Sequence, residues 1–353
     1  MALKSLQSRK VILFIAAGLT AFILYLIYYV GTGNFIEVVR RANIYYYASA
    51  FAVFIVGTFF SALTWRSLLH NLDIKRSVRK AFLLTWAGYF FEATLPEPGW
   101  SGDVTKAYML SKESDEDAGK IVASVVGQKI IAMAVTIFVL IAGFGLLAAN
   151  YALPLIVLAF IGVIMIVSVA SLVVVYRVST SPKATKTILK FLIRVLSFTL
   201  RSRFDEAHFR TDAEKFLKMF HNGIETLNAN KKTLLRPLLL YVLSVLFDIS
   251  VVFFTFAALG STVPVDKVLI VYALTGTLQS IGVSIVGLTE IIMSTSYQVL
   301  GIPLALSFSA TLLTRIVTLW FKLVAGYVAL QWAGVGILLG KKQTSVATPK
   351  IDG

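Results

Sequence analysis

Six stretches of this sequence run close to or beyond the ~20 predominantly apolar residues that a helix needs to cross a ~30 Å hydrocarbon core. They cover residues 11–30, 46–64, 121–149, 152–175, 238–259 and 303–339. Lipid offers no partner to an open backbone N–H or C=O, so such runs fold as helices whose backbone is satisfied internally. The fold class is therefore an all-α polytopic membrane protein. Composition agrees, with 58% apolar residues and a mean hydropathy of +0.82. The first run is too long for a signal-peptide core and lacks a small-residue cleavage site, so it reads as a retained span.

Two more hydrophobic stretches are broken in the middle. Residues 81–110 are interrupted by Leu95-Pro96-Glu97-Pro98-Gly99-Trp100-Ser101-Gly102-Asp103. Residues 268–300 are interrupted between Ser280 and Glu290, where Gly282 and Gly287 fall. Irregular backbone at membrane depth occurs where it lines a cavity or is buried in protein. A pair of such breaks in the two halves of a chain points to a binding site in transporter-like folds.

Charge sets the orientation. The net charge is +15, and its clustering fits the positive-inside rule rather than nucleic-acid binding. Lys4, Arg9 and Lys10 precede the first run, and Arg66, Lys75, Arg76, Arg79 and Lys80 follow the second. Residues 177–232 carry twelve Lys/Arg against five Asp/Glu, and Lys341 and Lys342 follow the last run. Keeping these clusters in the cytoplasm requires both ends of 81–110 to lie inside and both ends of 268–300 outside. The expected architecture is six full transmembrane helices plus two re-entrant helical hairpins of opposite entry, eight hydrophobic segments in an inverted-repeat-like arrangement. Both termini are then cytoplasmic, and the cell membrane is the expected location. Residues 1–342 form one integral membrane domain with an amphipathic helical insert at 177–233, and 343–353 read as a disordered tail. The insert contains two amphipathic patterns, 187–201 and 209–227. Such basic helices lie on an anionic bilayer surface or pack under the membrane domain.

The chain has no cysteine, and no two of His70, His208 and His221 share a metal-ligand spacing. No metal, cofactor or thiol chemistry is expected. A charged group at membrane depth costs about 2.5–3.5 kcal/mol on insertion scales, so each one there needs a reason. In the first broken stretch these are Glu92, Glu97, Asp103 and Lys106, with Gly99 and Gly102 in the turn. Ser101 reads as the N-cap of the next helix, whose free N–H groups and Lys106 suit a phosphate. Asp103 instead suits an i,i+3 pair with Lys106. In the second stretch Gln279 precedes the break and Glu290 follows it, as the only acid between Asp266 and Asp352. Arg315 and Lys322 are its natural partners. Gln128 and Lys129 sit early in the third run, where Lys129 can snorkel to the interface. Asp248 is a lone acid in the fifth run and needs a partner. Trp65, Trp86, Trp100 and Trp332 read as interfacial anchors.

These segments resemble the transmembrane region of lysylphosphatidylglycerol synthases and its stand-alone, flippase-like relatives. Trp65-Arg66-Ser67-Leu68-Leu69 is similar to the family's Arg-Trp-like pair before a Leu-rich turn. Residues 98–110 follow its Pro-x-x-x-Gly-Asp/Glu-x-x-Arg-x-x-x-Leu pattern, with Lys106 for the usual Arg. Gln128-Lys129 stands where the family has Glu-Arg, and Glu92 where it has a neutral polar residue. Gly287-Leu288-Thr289-Glu290 with Arg315 fits the spacing of its C-terminal Gly-rich turn, Glu and distant Arg, without the Pro-Gly-Gly. The resemblance implies movement of a lipid or lipid-linked head group between leaflets, with anionic or phosphate-bearing membrane lipids as partners. No soluble stretch in this sequence would hold the aminoacyl-transferring domain of the fused members, so a non-enzymatic role is expected. A membrane-embedded lipid-modifying enzyme and a non-transporting scaffold or lipid sensor are the alternatives. A homo-oligomer is compatible with the sequence. The expected substrate-binding set is Glu92, Gly99, Gly102, Asp103, Lys106, Gln128, Gln279, Glu290, Arg315 and Lys322.

Overall fold

The computed structural model describes residues 40, 42–94, 100–114, 116–152, 154–187, 189–190, 193, 206–280 and 287–333. Among them the regular structure is entirely helical. The first expected span (11–30), the tail, most of the 187–201 pattern and the tips of both breaks lie outside the described residues. Helix α1 is Ile44–His70, α2 Val78–Thr94 and α3 Ser101–Glu113. Helix α4 is Ala118–Asn150, α5 Leu155–Thr180 and α6 Glu206–Ala229. A 3₁₀ turn, Lys231–Leu234, leads into α7, Leu235–Ala258. Helices α8 (Val265–Ser280) and α9 (Leu288–Val299) follow. Helix α10 (Leu304–Arg315) then runs through a π-turn, Ile316–Phe321, into α11, Lys322–Ala333.

Five of these stretches are long and apolar enough to cross a bilayer: Ile44–His70, Ala118–Asn150, Val157–Thr180, Lys231–Ala258 and Leu304–Ala333. The protein is thus a multi-pass membrane protein. The four helices around the two breaks are shorter. At 1.5 Å per residue, α2 and α3 reach only about 26 and 20 Å. Local signals explain several boundaries. Asn43 caps α1 by accepting the Tyr45 N–H at 2.9 Å. The same helix ends in a turn where Asp73 takes a positive φ of 64°, a region Asp enters more readily than most side chains.

Apolar side chains left outside the packing form the lipid-facing surface. Helix α5 shows this most clearly, with Leu155, Phe160, Val163 and Ile166 all exposed. Water would penalise such a face, whereas hydrocarbon does not. Inside, one core joins α4, α5, α7, α8, α9 and α10 through residues such as Leu140, Phe256, Val271 and Tyr297. A second joins α1, α2, α3, α4, α6 and α11 through Trp65, Leu84, Met109 and Ile121. Each broken stretch therefore belongs to a different core, and the space between the cores is where a site can open.

One sequence expectation changes here, and of two left open for the insert the structure favours one. Trp65 and Trp86 are buried, not interfacial; the Trp65 Nε1–H donates to Ser124 Oγ at 3.0 Å. Hydropathy does not separate an interfacial Trp from a core Trp whose N–H has found a partner. Trp332 is 74% exposed, as an anchor would be. The α6 half of the insert turns its apolar face inward. Phe220, Ile224 and Leu227 are buried against the start of α4, and a Cβ at Gly223 would meet Ala123 Cβ at 2.7 Å. That face is used by packing, so it is not free to lie on a bilayer surface.

His221 ties α6 to the segment that follows α5. Its Nε2 lies 2.7 Å from Thr185 Oγ1. Burial pulls the imidazole below its ordinary pKa, Glu225 and a backbone hydrogen bond at Ser179 oppose this, and Lys186 adds to the lowering. A ring held neutral by folding contributes stability above its unfolded pKa, and that contribution is lost as pH falls. We expect α6 to become more susceptible to limited proteolysis as pH drops below about 6.5. His221→Gln should flatten that dependence.

Candidate functional site

Helices α2 and α3 meet backbone to backbone. A Cβ on Gly88 would stand 2.6 Å from Gly102 O, and one on Gly102 would stand 2.7 Å from Gly88 O. Only glycine permits this approach, and it carries the first turn of α3 into the space between the two cores. The helix starts one residue earlier than the sequence suggests. Trp100 holds the N-cap position without a side-chain cap, and Ser101 is the first helical residue.

Asp103 and Lys106 pair across one turn, Nζ to Oδ1 at 2.7 Å. Lys106 also donates to Gln128 Oε1 at 2.8 Å, and its ammonium lies 5.1 Å from the Trp65 ring centre. Gln128 Nε2 in turn donates to Ser61 O at 3.1 Å and to Ser61 Oγ at 3.2 Å. Lys106 and Gln128 are both buried. A neutral Gln where the family pattern has Glu thus orients a lysine without cancelling its charge. Lys129 does not snorkel away. It lies 3.6 Å from Asp103 Oδ2 and 5.1 Å from the Trp100 ring centre.

The second cluster forms where α9 begins. Gly287 has φ +94°, which strains any other residue. Its N–H donates to Glu290 Oε2 at 2.6 Å, half of a capping box. The other oxygen accepts from Arg315 Nε at 2.6 Å. Both side chains are buried, so each satisfies a charge that would otherwise be stranded. Lys322, also expected beside Glu290, pairs instead with Glu92 of α2 at 3.0 Å and sits 4.0 Å from the Tyr89 ring centre. The π-turn between Arg315 and Lys322 explains the split. Its widened turn shifts the helical register, and Arg315 points to α9 while Lys322 points to α2. π-turns of this kind recur at functional sites.

Between the clusters lies a polar cavity with two lobes. One, of about 230 Å³, contains Asp103, Lys106, Gln128 and Lys129; the other, of about 210 Å³, contains Arg315, Thr314 and Thr318. Tyr89, Glu92, Asp248, Tyr272, Gly276, Gln279 and Lys322 line both lobes, so the two adjoin. Of the ten residues expected at a site, eight line this cavity, and Glu290 stands behind Arg315. Gly99 lies outside the described residues. Sequence reasoning left out Tyr89, Tyr241 and Tyr272, took Lys129 as free to snorkel, and kept Asp248 outside the expected set. The tyrosines carried no signal beyond aromaticity. Asp248 did, as a lone acid in an apolar run.

The chain matches the family described as the lysylphosphatidylglycerol synthase TM region over residues 11–326. It belongs to that family. It is 26% identical over 322 residues to UPF0104 membrane protein MJ1595 of Methanocaldococcus jannaschii, covering 88% of this chain and 91% of that protein. It is also 26% identical over 325 residues to UPF0104 membrane protein PH1989 of Pyrococcus horikoshii, covering 90% and 95%. No solved structure matches. The matched span contains both broken stretches and every described residue of the cavity.

Proposed function

We propose that this protein translocates a phosphate-bearing lipid head group between bilayer leaflets. The observation that carries the reading is the two-lobed cavity flanked by Lys106, Lys129, Arg315 and Lys322. Cavities lined by a few convergent polar groups are the usual form of a small-ligand site, and charges at membrane depth mark substrate paths. The short helix pairs α2/α3 and α8/α9 are read as re-entrant hairpins entering from opposite faces, with the 177–233 insert and both termini in the cytoplasm. The head group would pass through the cavity while its acyl chains stay in the hydrocarbon. Rocking one core against the other would expose the cavity to each side in turn.

The direct test is reconstitution into liposomes with fluorescent phosphatidylglycerol and an impermeant quencher. Leaflet exchange should exceed that of empty liposomes and fall in Lys106→Ala. Exchange no faster than in empty liposomes, for phosphatidylglycerol and other phosphate-bearing lipids alike, would reject the proposal.

A further inference from the structure

One acidic side chain in the cavity is not held by a base. Glu92 is paired with Lys322, Asp103 with Lys106 and Lys129, and Glu290 with Arg315. Asp248 of α7 lines both lobes, and among the described residues no hydrogen bond or ion pair reaches it. Its carboxylate faces α1 at Gly57, where a Cβ would come within 2.9 Å of Oδ1. Ser61 of α1, Tyr89 and Glu92 of α2, Tyr241 of α7, Tyr272 and Gln279 of α8, and Lys322 of α11 line the same lobe. Lys322 is the cation that lines both lobes with it, and that cation is already committed to Glu92.

Charge bookkeeping gives this carboxylate a role. Among the described residues, the cavity and its immediate backing hold four acids (Glu92, Asp103, Asp248, Glu290) and four bases (Lys106, Lys129, Arg315, Lys322). With Asp248 ionised, the set is neutral and has no surplus for an anion. With Asp248 protonated, it carries one net positive charge, which matches a phosphodiester monoanion.

We propose that Asp248 is a proton-binding site and that its protonation admits one phosphodiester anion to the cavity, so that a proton and a monoanionic head group move together. The proposal rests on the translocase reading and adds the co-transported ion. The proton comes from water on one face, resides on a carboxylate oxygen, and returns to water on the other face; no bond in the lipid changes.

The test measures binding and proton uptake apart from transport. Dioctanoyl phosphatidylglycerol is added to the purified protein in weakly buffered detergent containing a pH indicator. A phosphodiester stays monoanionic over the working range, so any pH dependence belongs to the protein. Above the titration point of Asp248, binding should take up about one proton per lipid, and affinity should fall about tenfold per pH unit. Asp248→Asn should bind without proton uptake, with an affinity that is flat in pH and equal to the acid limit of the wild type. Asp248→Glu should restore the slope, separating titration from damage to the fold. Proton uptake that persists in Asp248→Asn, or a flat wild-type profile, overturns the proton site. If wild type binds the lipid and exchanges it between leaflets with a flat profile, the proton site alone fails. If neither binding nor exchange occurs, the translocase reading falls and takes the proton site with it.

Discussion

Replacing Arg315 by alanine is expected to lower stability by roughly 3–5 kcal/mol, the loss typical when one member of a buried ion pair is removed. Glu290 would keep its charge in a site where both side chains are under a tenth exposed. It would keep only the Gly287 N–H as a close partner in this pair of contacts. The damage should therefore concentrate at the start of α9, which Glu290 holds through Gly287. Neutralising both partners, Glu290→Gln with Arg315→Met, should recover much of the loss, because Gln still accepts from the Gly287 N–H and no charge remains uncompensated. Thermal unfolding in detergent measures this. A double variant as unstable as Arg315→Ala would show that the stranded charge is not the cause.

The second large effect is steric. Gly88→Ala and Gly102→Ala each push a methyl to under 3 Å from a backbone carbonyl oxygen on the facing helix. Backbone has no rotamer to yield, so α2 and α3 must separate. Overpacking of this kind costs about 1–3 kcal/mol. The functional loss should exceed that figure, because α3 carries Asp103 and Lys106 and α2 carries Glu92. Gly145 and Gly162 provide the control, since a Cβ at either meets nothing within 4 Å. Alanine there should be neutral or stabilising, as expected for glycine in a helix interior. Leaflet exchange normalised to folded protein separates the two classes. Equal behaviour of all four variants would contradict the close-packed junction.

These effects also show which parts of the site could be read from sequence. The Asp103–Lys106 pair was legible because i,i+3 neighbours on a helix must meet. Glu290 with Arg315 was legible because a lone acid and a nearby cation in an apolar region have few other partners. Lys322 was assigned to the wrong acid. Its true partner, Glu92, lies 230 positions away, and the π-turn that redirects Lys322 has no composition signature. Trp65 was misplaced because hydropathy records aromatic content and not the Ser124 hydroxyl that satisfies the indole. The apolar helices were legible from length alone. How α2 and α3 nest was not, since Gly88 and Gly102 become informative only once they face each other.

The absence of cysteine from the sequence makes a decisive labelling experiment straightforward, because each introduced thiol is unique. The central claim is a water-filled, lipid-binding cavity between the two cores, with Gln279 lining both of its lobes. Gln279→Cys in proteoliposomes should react with an impermeant maleimide far faster than Val163→Cys, since Val163 is 59% exposed on the apolar face of α5. Added dioctanoyl phosphatidylglycerol should slow the Gln279→Cys reaction and leave Val163→Cys unchanged. Labelling of Gln279→Cys no faster than Val163→Cys, or unaffected by the lipid, would contradict the account.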